Sequence, residues 1–280
     1  MQASHKFTHI LLSLTFLIAL ATLGFSQVPI AGQPGLLPNI IEVSDQKPGS
    51  VLVYPYYTSN TGQNKTDTRI NLSNLMGTVA AVPPNAGNGS VNVHIFFIEG
   101  SSCNQADLYV CLTKGASVTF KVSDYDPDRA GYVLAVAVDA MGNPISWNAL
   151  IGNAFVNAGT TVGNYNAESF AAIPAVGTIT ALAANNLATL QLDGAVYDRA
   201  AEQFAVEIQS PNDATGQTIV QVSLAGNIST GVMTSVAQNG TGLVWRGDEK
   251  LVSFVKFIGG GCQSINVIST TNPRVPTGLG

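Results

Sequence analysis

The sequence predicts an all-β protein, an antiparallel sandwich or jelly-roll-like fold with short helical connections. Three observations carry this reading. Apolar residues alternate with period two in segment after segment. The segments are short and are punctuated by Gly, Asn and Pro. No helical pattern between them is long enough to serve as a parallel crossover.

The chain opens with an address rather than with a fold element. Behind Lys6, residues Ile10 to Phe25 are apolar apart from Ser13, Thr15 and Thr22. A charged start, a short apolar stretch and the small residues Gly24 and Ser26 make a secretory signal, with cleavage expected between Ser26 and Gln27. The 16 residues of the run fall short of the roughly 20 that span a bilayer. No later run reaches that length, so no membrane span is expected after signal removal. No cysteine near the cut offers a point for lipid attachment. The protein is expected outside the cell or at its surface.

Residues Gln27 to Pro48 carry Pro29, Pro34, Pro38 and Pro48 without a sustained period, which reads as an extended leader. From residue 49 to 280 the chain is read as one β-sandwich-like domain, with two subdomains as the alternative, since no internal repeat divides it clearly. Strands are expected over Val51 to Tyr57, Thr68 to Asn74 and Ser90 to Ile98. Val118, Phe120 and Val122 alternate with polar residues and give another. Tyr132 to Val138 is apolar on both faces and is bounded by Gly131 and the turn Asp139 to Pro144, so it should be a central strand. Ile145 to Leu150, Thr189 to Leu192, Phe204 to Ile208, Val220 to Leu224, Gly242 to Arg246, Leu251 to Ile258 and Gln263 to Ile268 complete the strand set. Ala167 to Ile173 and Ile179 to Asn186 are Ala-rich and read as short helical connections. Asn88-Gly89, Asp193-Gly194 and Asn239-Gly240 suit tight turns that need positive φ.

Only 10% of residues are charged and the full-chain charge is −5, which becomes −6 when Lys6 leaves with the signal (−5 − 1). A phosphate backbone is repelled on average, so nucleic acid is excluded as the expected partner. Solubility must come from uncharged polar groups, and any binding from short-range hydrogen bonds and aromatic contacts.

Three cysteines are present. In an oxidising compartment Cys103 and Cys111 are the expected disulfide, closing a small loop, with Cys262 left over as a free thiol or a site of intermolecular pairing. CxxC spacing and histidine partners for a zinc site are missing.

The candidate chemistry is sparse. His94 is the one histidine left after signal removal. It lies opposite in parity to Val91, Val93, Ile95 and Phe97, and no G-x-S-x-G or HExxH accompanies it. Asp124, Asp126 and Asp128 stand at alternate positions, a spacing that lets a curled loop converge oxygens on calcium. Arg129 and Ala135 break the EF-hand pattern, and a polar turn is the plainer reading. Asp139, Glu168, Glu202, Glu207 and Asp248 are available as carboxylates for glycoside hydrolysis, with nothing to pair any two. Tyr54, Tyr56, Tyr57, Trp147 and Trp245 are candidates for stacking on sugar rings, with Tyr56, Trp147 and Trp245 the preferred ligand-binding set. N-x-S/T sequons begin at Asn64, Asn71, Asn88, Asn227 and Asn239.

The block from Val91 through Cys103, then Cys111-Leu112-Thr113, Asp124-Tyr125-Asp126-Pro127, Gly131 through Asp139 and Leu150-Ile151-Gly152-Asn153, resembles a family of uncharacterised secreted proteins from environmental bacteria. The resemblance is closest over residues 42 to 175 and brings no known activity, substrate or cofactor. It implies a bacterial source, which makes the sequons incidental. Relatives often carry one cysteine in the turn before the proline matching Pro144, where this chain has Asn143, and another matching Cys262. If those two pair in relatives, Cys262 has lost its partner here.

The function these features favour is that of a secreted, non-catalytic structural or adhesive protein of the cell surface or extracellular space, self-assembling by β-strand addition of the leader to a neighbour's edge. Its partners would be an extracellular protein, a polysaccharide surface or further copies of itself. A carbohydrate-binding module using exposed aromatics is the alternative, and a secreted glycoside-active enzyme the second. No cofactor other than calcium is suggested.

Overall fold

A computed structural model describes residues 43–45, 47–62, 65–75, 89–159, 162–173, 190–200, 218–235, 238–245, 251–258 and 261–267. The signal, most of the leader, and the expected elements Ile179 to Asn186 and Phe204 to Ile208 lie outside these residues. The fold is all-β, as the alternation predicts. In chain order the first strands are β1 (Val51–Thr58), β2 (Asp67–Asn74), β3 (Val91–Glu99), β4 (Gln105–Leu112) and β5 (Ser117–Lys121). A 3-10 turn at Val122–Asp124 leads to β6 (Ala130–Val138), β7 (Leu150–Asn157), β8 (Val162–Asn166) and β9 (Glu168–Phe170). The C-terminal part contributes β10 (Thr218–Val222), β11 (Gly226–Asn227), β12 (Val232–Met233), β13 (Gln238–Trp245), β14 (Leu251–Ile258) and β15 (Gln263–Val267).

Two antiparallel sheets form the sandwich, one in the order β4-β3-β6-β1-β9 and one in the order β5-β2-β7-β8. Alternation along the strands explains how they close on each other. Leu52 and Tyr54 of β1, Val93, Ile95 and Phe97 of β3 and Val133, Ala135 and Ala137 of β6 face Ile70 and Leu72 of β2, Phe120 of β5 and Ala154 of β7 in one apolar core. In a regular strand Tyr54 and Tyr57 would point to opposite faces. A register shift between them sends both rings into this core, and Pro55, which has no N–H to give a ladder, sits in that irregularity.

The five-stranded sheet is covered on its other face as well, which the two-layer expectation did not include. Val51, Val53, Phe96, Ile98, Tyr132, Leu134, Val136 and Val138 pack there against Leu190, Tyr197, Ile228, Met233 and Cys262. β6 is the middle strand of this sheet, paired with β3 and β1. Burial on both sides is why its sequence is apolar without alternation.

The C-terminal strand pair β10 and β15 is tied to the sandwich by polar contacts. Tyr132 Oη donates to the Ser223 carbonyl (3.0 Å), and Gln263 Nε2 donates to the carbonyls of Pro55 (2.6 Å) and Gly131 (2.8 Å). The Cys262 and Gln263 N–H groups both reach the Gly100 carbonyl, at 2.9 and 3.0 Å.

The disulfide is Cys103–Cys262, with Cα atoms 5.4 Å apart, and Cys111 is a free, exposed cysteine. This corrects the expected Cys103–Cys111 staple, and the reason is geometric. The residues between those two cysteines are the extended strand β4, so Cys111 lies roughly 25 Å from Cys103, far beyond the ~7 Å limit for bridging.

Three further expectations change. Ala167 to Ile173 is not helical: it holds β9, whose Phe170, Ser169 and Glu168 pair with Val51, Leu52 and Val53. Ile145 to Leu150 is buried but forms no strand before β7 begins at Leu150: isolated bridges lie at its two ends, Val138 with Pro144 and Gly49 with Leu150. This segment crosses from one sheet to the other, and side chains replace the ladder. Ser50 Oγ donates to Asn148 Oδ1 (2.7 Å) and accepts from the Trp147 N–H (2.7 Å), while Asn148 Nδ2 donates to the Ala172 carbonyl (2.7 Å). Buried backbone groups are thereby satisfied without a strand partner.

Lastly, the end of the leader lies on its own domain. Ser44 bridges Ser169, Gly49 bridges Leu150, and Lys47 Nζ sits 2.7 Å from the buried Asp198 carboxylate.

Candidate functional site

The residues singled out in the sequence do not gather in one place. Trp147 is fully buried in the inter-sheet core, its Nε1–H donating to Asn74 Oδ1 at 3.1 Å. It cannot stack on a sugar, and this part of the ligand-binding expectation is corrected. Tyr56 is partly buried, its backbone bonded through both N–H and carbonyl to the Tyr165 hydroxyl. Tyr54 and Tyr57 are buried, donating to the Asn71 carbonyl (3.0 Å) and to Asp126. Trp245 ends β13 opposite Leu251, and its side chain is outside the described part.

Asp124, Asp126 and Asp128 are turned to separate tasks. Asp124 closes the 3-10 turn and is exposed. Asp126 accepts from Tyr57, and burial pushes its carboxyl above the ordinary range. Asp128, at a φ of 61°, accepts from the Thr61 N–H (3.2 Å) and hydroxyl (3.3 Å). Among the described residues no three His, Cys, Asp or Glu side chains come together as a metal group.

The carboxylates are scattered too. Asp139 is buried and holds its own turn, accepting from the Met141 (2.8 Å) and Asn143 (2.9 Å) N–H groups. Glu168 pairs with Val53, which faces Leu134, five residues before Asp139. That offset is about 17 Å along the strand, too far for the roughly 5–9.5 Å of a glycosidase pair. Burial, and secondarily Asp45, raises the Glu168 carboxyl. Glu202, Glu207 and Asp248 lie outside the described residues.

His94 lies beside Phe96, on the face of β3 opposite to Val93 and Ile95, as its parity requires. Its Nε2 is 3.0 Å from Asp107 Oδ2, and its ring stacks on Tyr109 at 3.8 Å between centroids. Burial lowers its pKa, and the hydrogen bond to Asp107 pulls the other way.

What sequence reasoning missed is a surface. The four-stranded sheet buries Ile70, Leu72, Phe120, Ala154 and Val156 and turns the alternate residues outward. Register arranges these in ranks. Lys121, Arg69, Phe155 and Asn164 form one, Thr119, Asn71, Asn153 and Asn166 the next, and Ser117, Ser73 and Ile151 the third. Strand spacing sets neighbours in a rank about 4.8 Å apart and successive ranks about 7 Å apart.

The middle rank is stitched together. Thr119 Oγ1 donates to Asn71 Oδ1 (3.2 Å), and Asn71 Nδ2 donates to Asn153 Oδ1 (3.1 Å). Ser73 and Ser117 share a hydrogen bond of 2.6 Å. In the first rank the Arg69 guanidinium lies over the Phe155 ring, 5.2 Å from its centroid, while Phe155 as a residue stays 40% exposed and Ile151 38%. Among the described residues neither Arg69 nor Lys121 has an acidic partner. The signal for this face was present as the polar half of the alternation in Thr68 to Asn74 and Val118 to Val122. The register that assembles it was not.

One disulfide, and no helix among the described residues long and apolar enough to cross a membrane, are compatible with an extracellular protein. No protein-family model matches the chain, and no curated protein matches it. Among solved structures it is similar to the crystal structure of Thermotoga maritima 1070, at 8% identity and a TM-score of 0.30, over 43% of this chain and 92% of that one. A likeness at that level carries no argument about fold or function.

Proposed function

We propose that this is an exported, non-catalytic β-sandwich protein that acts by contact with an extracellular surface, in a structural or adhesive role. The observation that supports it is the outer face of β5-β2-β7-β8, a broad sheet surface of amides and hydroxyls with exposed Phe155 and Ile151. Flat polar faces held in place by their own hydrogen bonds suit multivalent contact with another surface. The apolar run Ile10 to Phe25 supports export, and the low charge supports short-range contact. Self-assembly by strand addition is the less favoured form, because the leader residues next to the domain already pair in cis, Ser44 with Ser169 and Lys47 with Asp198.

Fractionating a bacterial culture that makes the full chain tests the reading. Protein beginning at Gln27 is expected outside the cytoplasm, sedimenting with cells or extracellular matrix after washing. Unprocessed protein retained in the cytoplasm, or processed protein that sediments with neither, overturns it.

A further inference from the structure

We infer that the outer face of the four-stranded sheet binds an acidic polysaccharide, one that carries carboxylates on some of its rings among neutral hydroxyls. The inference rests on the surface-contact reading above and names its partner. It begins from a cost in the fold. Arg69 and Lys121 stand directly opposite each other on β2 and β5, and like charges in that relation oppose strand pairing. Neither is offset by an acid among the described residues. Asp67, on the same face of β2, is turned instead to the Ser123 N–H (3.2 Å) and hydroxyl (2.8 Å). A protein of net charge −5 therefore keeps on an exposed sheet two adjacent cations that no acid among the described residues offsets, where an anion would relieve their repulsion.

The surroundings select among anions. A nucleic acid or an anionic membrane presents charge at every step and calls for a dense basic patch. Here two cations border a neutral hydrogen-bonding rank. Arg69, held against Phe155, offers a fixed fork to a carboxylate, and Lys121 a second point charge. The Asn153 amide and the Thr119 hydroxyl lie one rank away, on either side of Asn71, and offer hydrogen bonds to neutral sugar hydroxyls. The exposed part of Phe155 provides an apolar patch for the C–H face of a sugar ring.

The test uses the full secreted chain on immobilised polygalacturonate with part of its carboxylates methyl-esterified, so that charged and neutral rings are interspersed, with neutral dextran as the comparison and salt varied. Retention is expected on polygalacturonate only, falling as salt rises. The double variant Arg69→Gln/Lys121→Gln should weaken it by about tenfold, while Lys114→Gln, an exposed cation outside the face, should not. Lys121→Gln alone removes the like-charge pair, so it should keep or raise the melting temperature while weakening retention, which separates loss of binding from loss of fold. Retention on dextran equally well, or retention indifferent to the double variant, overturns the inference and leaves surface contact standing. Absence of binding to polygalacturonate, together with failure to sediment with cells or matrix, overturns both.

Discussion

Cys103 and Cys262, 159 positions apart, are joined by a disulfide that pins β15 to the turn after β3, where Cys103 adopts a φ of 62° and donates its N–H to the Glu99 carbonyl at 2.9 Å. A crosslink over so long a loop restricts the unfolded chain strongly, by about 5 kcal/mol on the chain-entropy relation. Replacing both cysteines by Ser is expected to cost about 2–5 kcal/mol in denaturant unfolding, whereas Cys111→Ser should change stability little. Alkylation of the unreduced protein followed by peptide mapping should label Cys111 alone.

Trp147 carries a second prediction. Its ring fills the space between the sheets and its Nε1–H is bonded to Asn74. Trp147→Ala should cost about 3–5 kcal/mol, and Trp147→Phe, which keeps much of the volume but loses the donor, roughly 1–3 kcal/mol. Loss of polysaccharide retention with stability intact would contradict the burial described here.

Gly152 lies under the Tyr54 hydroxyl: a Cβ at this position would come within 1.8 Å of Tyr54 Oη and 2.7 Å of the Asn71 carbonyl. Gly152→Ala must therefore displace the tyrosine and break its bond to Asn71. Thermal unfolding is expected to show a large loss in the parent and a smaller loss in the Tyr54→Phe background. Equal losses in the two would mean that the rings are not arranged as described.

Two half-buried titrating groups give opposite pH signatures. The Glu168 carboxyl is raised above 4.5 by burial and by Asp45, so the folded state holds its proton more tightly than the unfolded chain. Its contribution to stability is full below the unfolded pKa and is lost as pH rises through the folded one. Glu168→Gln should accordingly stabilise the protein at pH 7, with the gain vanishing below about pH 4. His94, lowered from 6.5 chiefly by burial, is protonated first in the unfolded chain, so stability should fall as pH drops below about 6.5. His94→Gln should flatten that slope.

How much of this was readable in advance differs by element. β6 declared itself because burial on both faces leaves an uninterrupted apolar run, β2 and β5 because one wet face leaves alternation, and β3 because its first half alternates before the buried run Ile95 to Ile98. β4 was missed although Ala106, Leu108 and Val110 alternate, because two cysteines at its ends suggested a closed loop. β7 was missed because Gly152, Asn153 and Asn157 are poor strand formers, tolerated where Gly152 makes room for Tyr54 and Asn153 joins the amide rank. Trp147 looked like a binding residue because composition cannot distinguish an aromatic buried in a crossing segment from one on a surface. The candidate face depends on which residues stand opposite each other across strands up to 90 positions apart, and single-chain alternation gives parity without giving partners.

Contact through the outer face of β5-β2-β7-β8 is read out residue by residue in chemical-shift mapping of backbone amides during titration with fragments of the partly methyl-esterified polygalacturonate. Shifts are expected to cluster at Arg69, Asn71, Thr119, Lys121, Asn153 and Phe155 and to fade with added salt. Shifts confined to the five-stranded sheet or to the His94–Tyr109 edge, or no shifts at all, would contradict it.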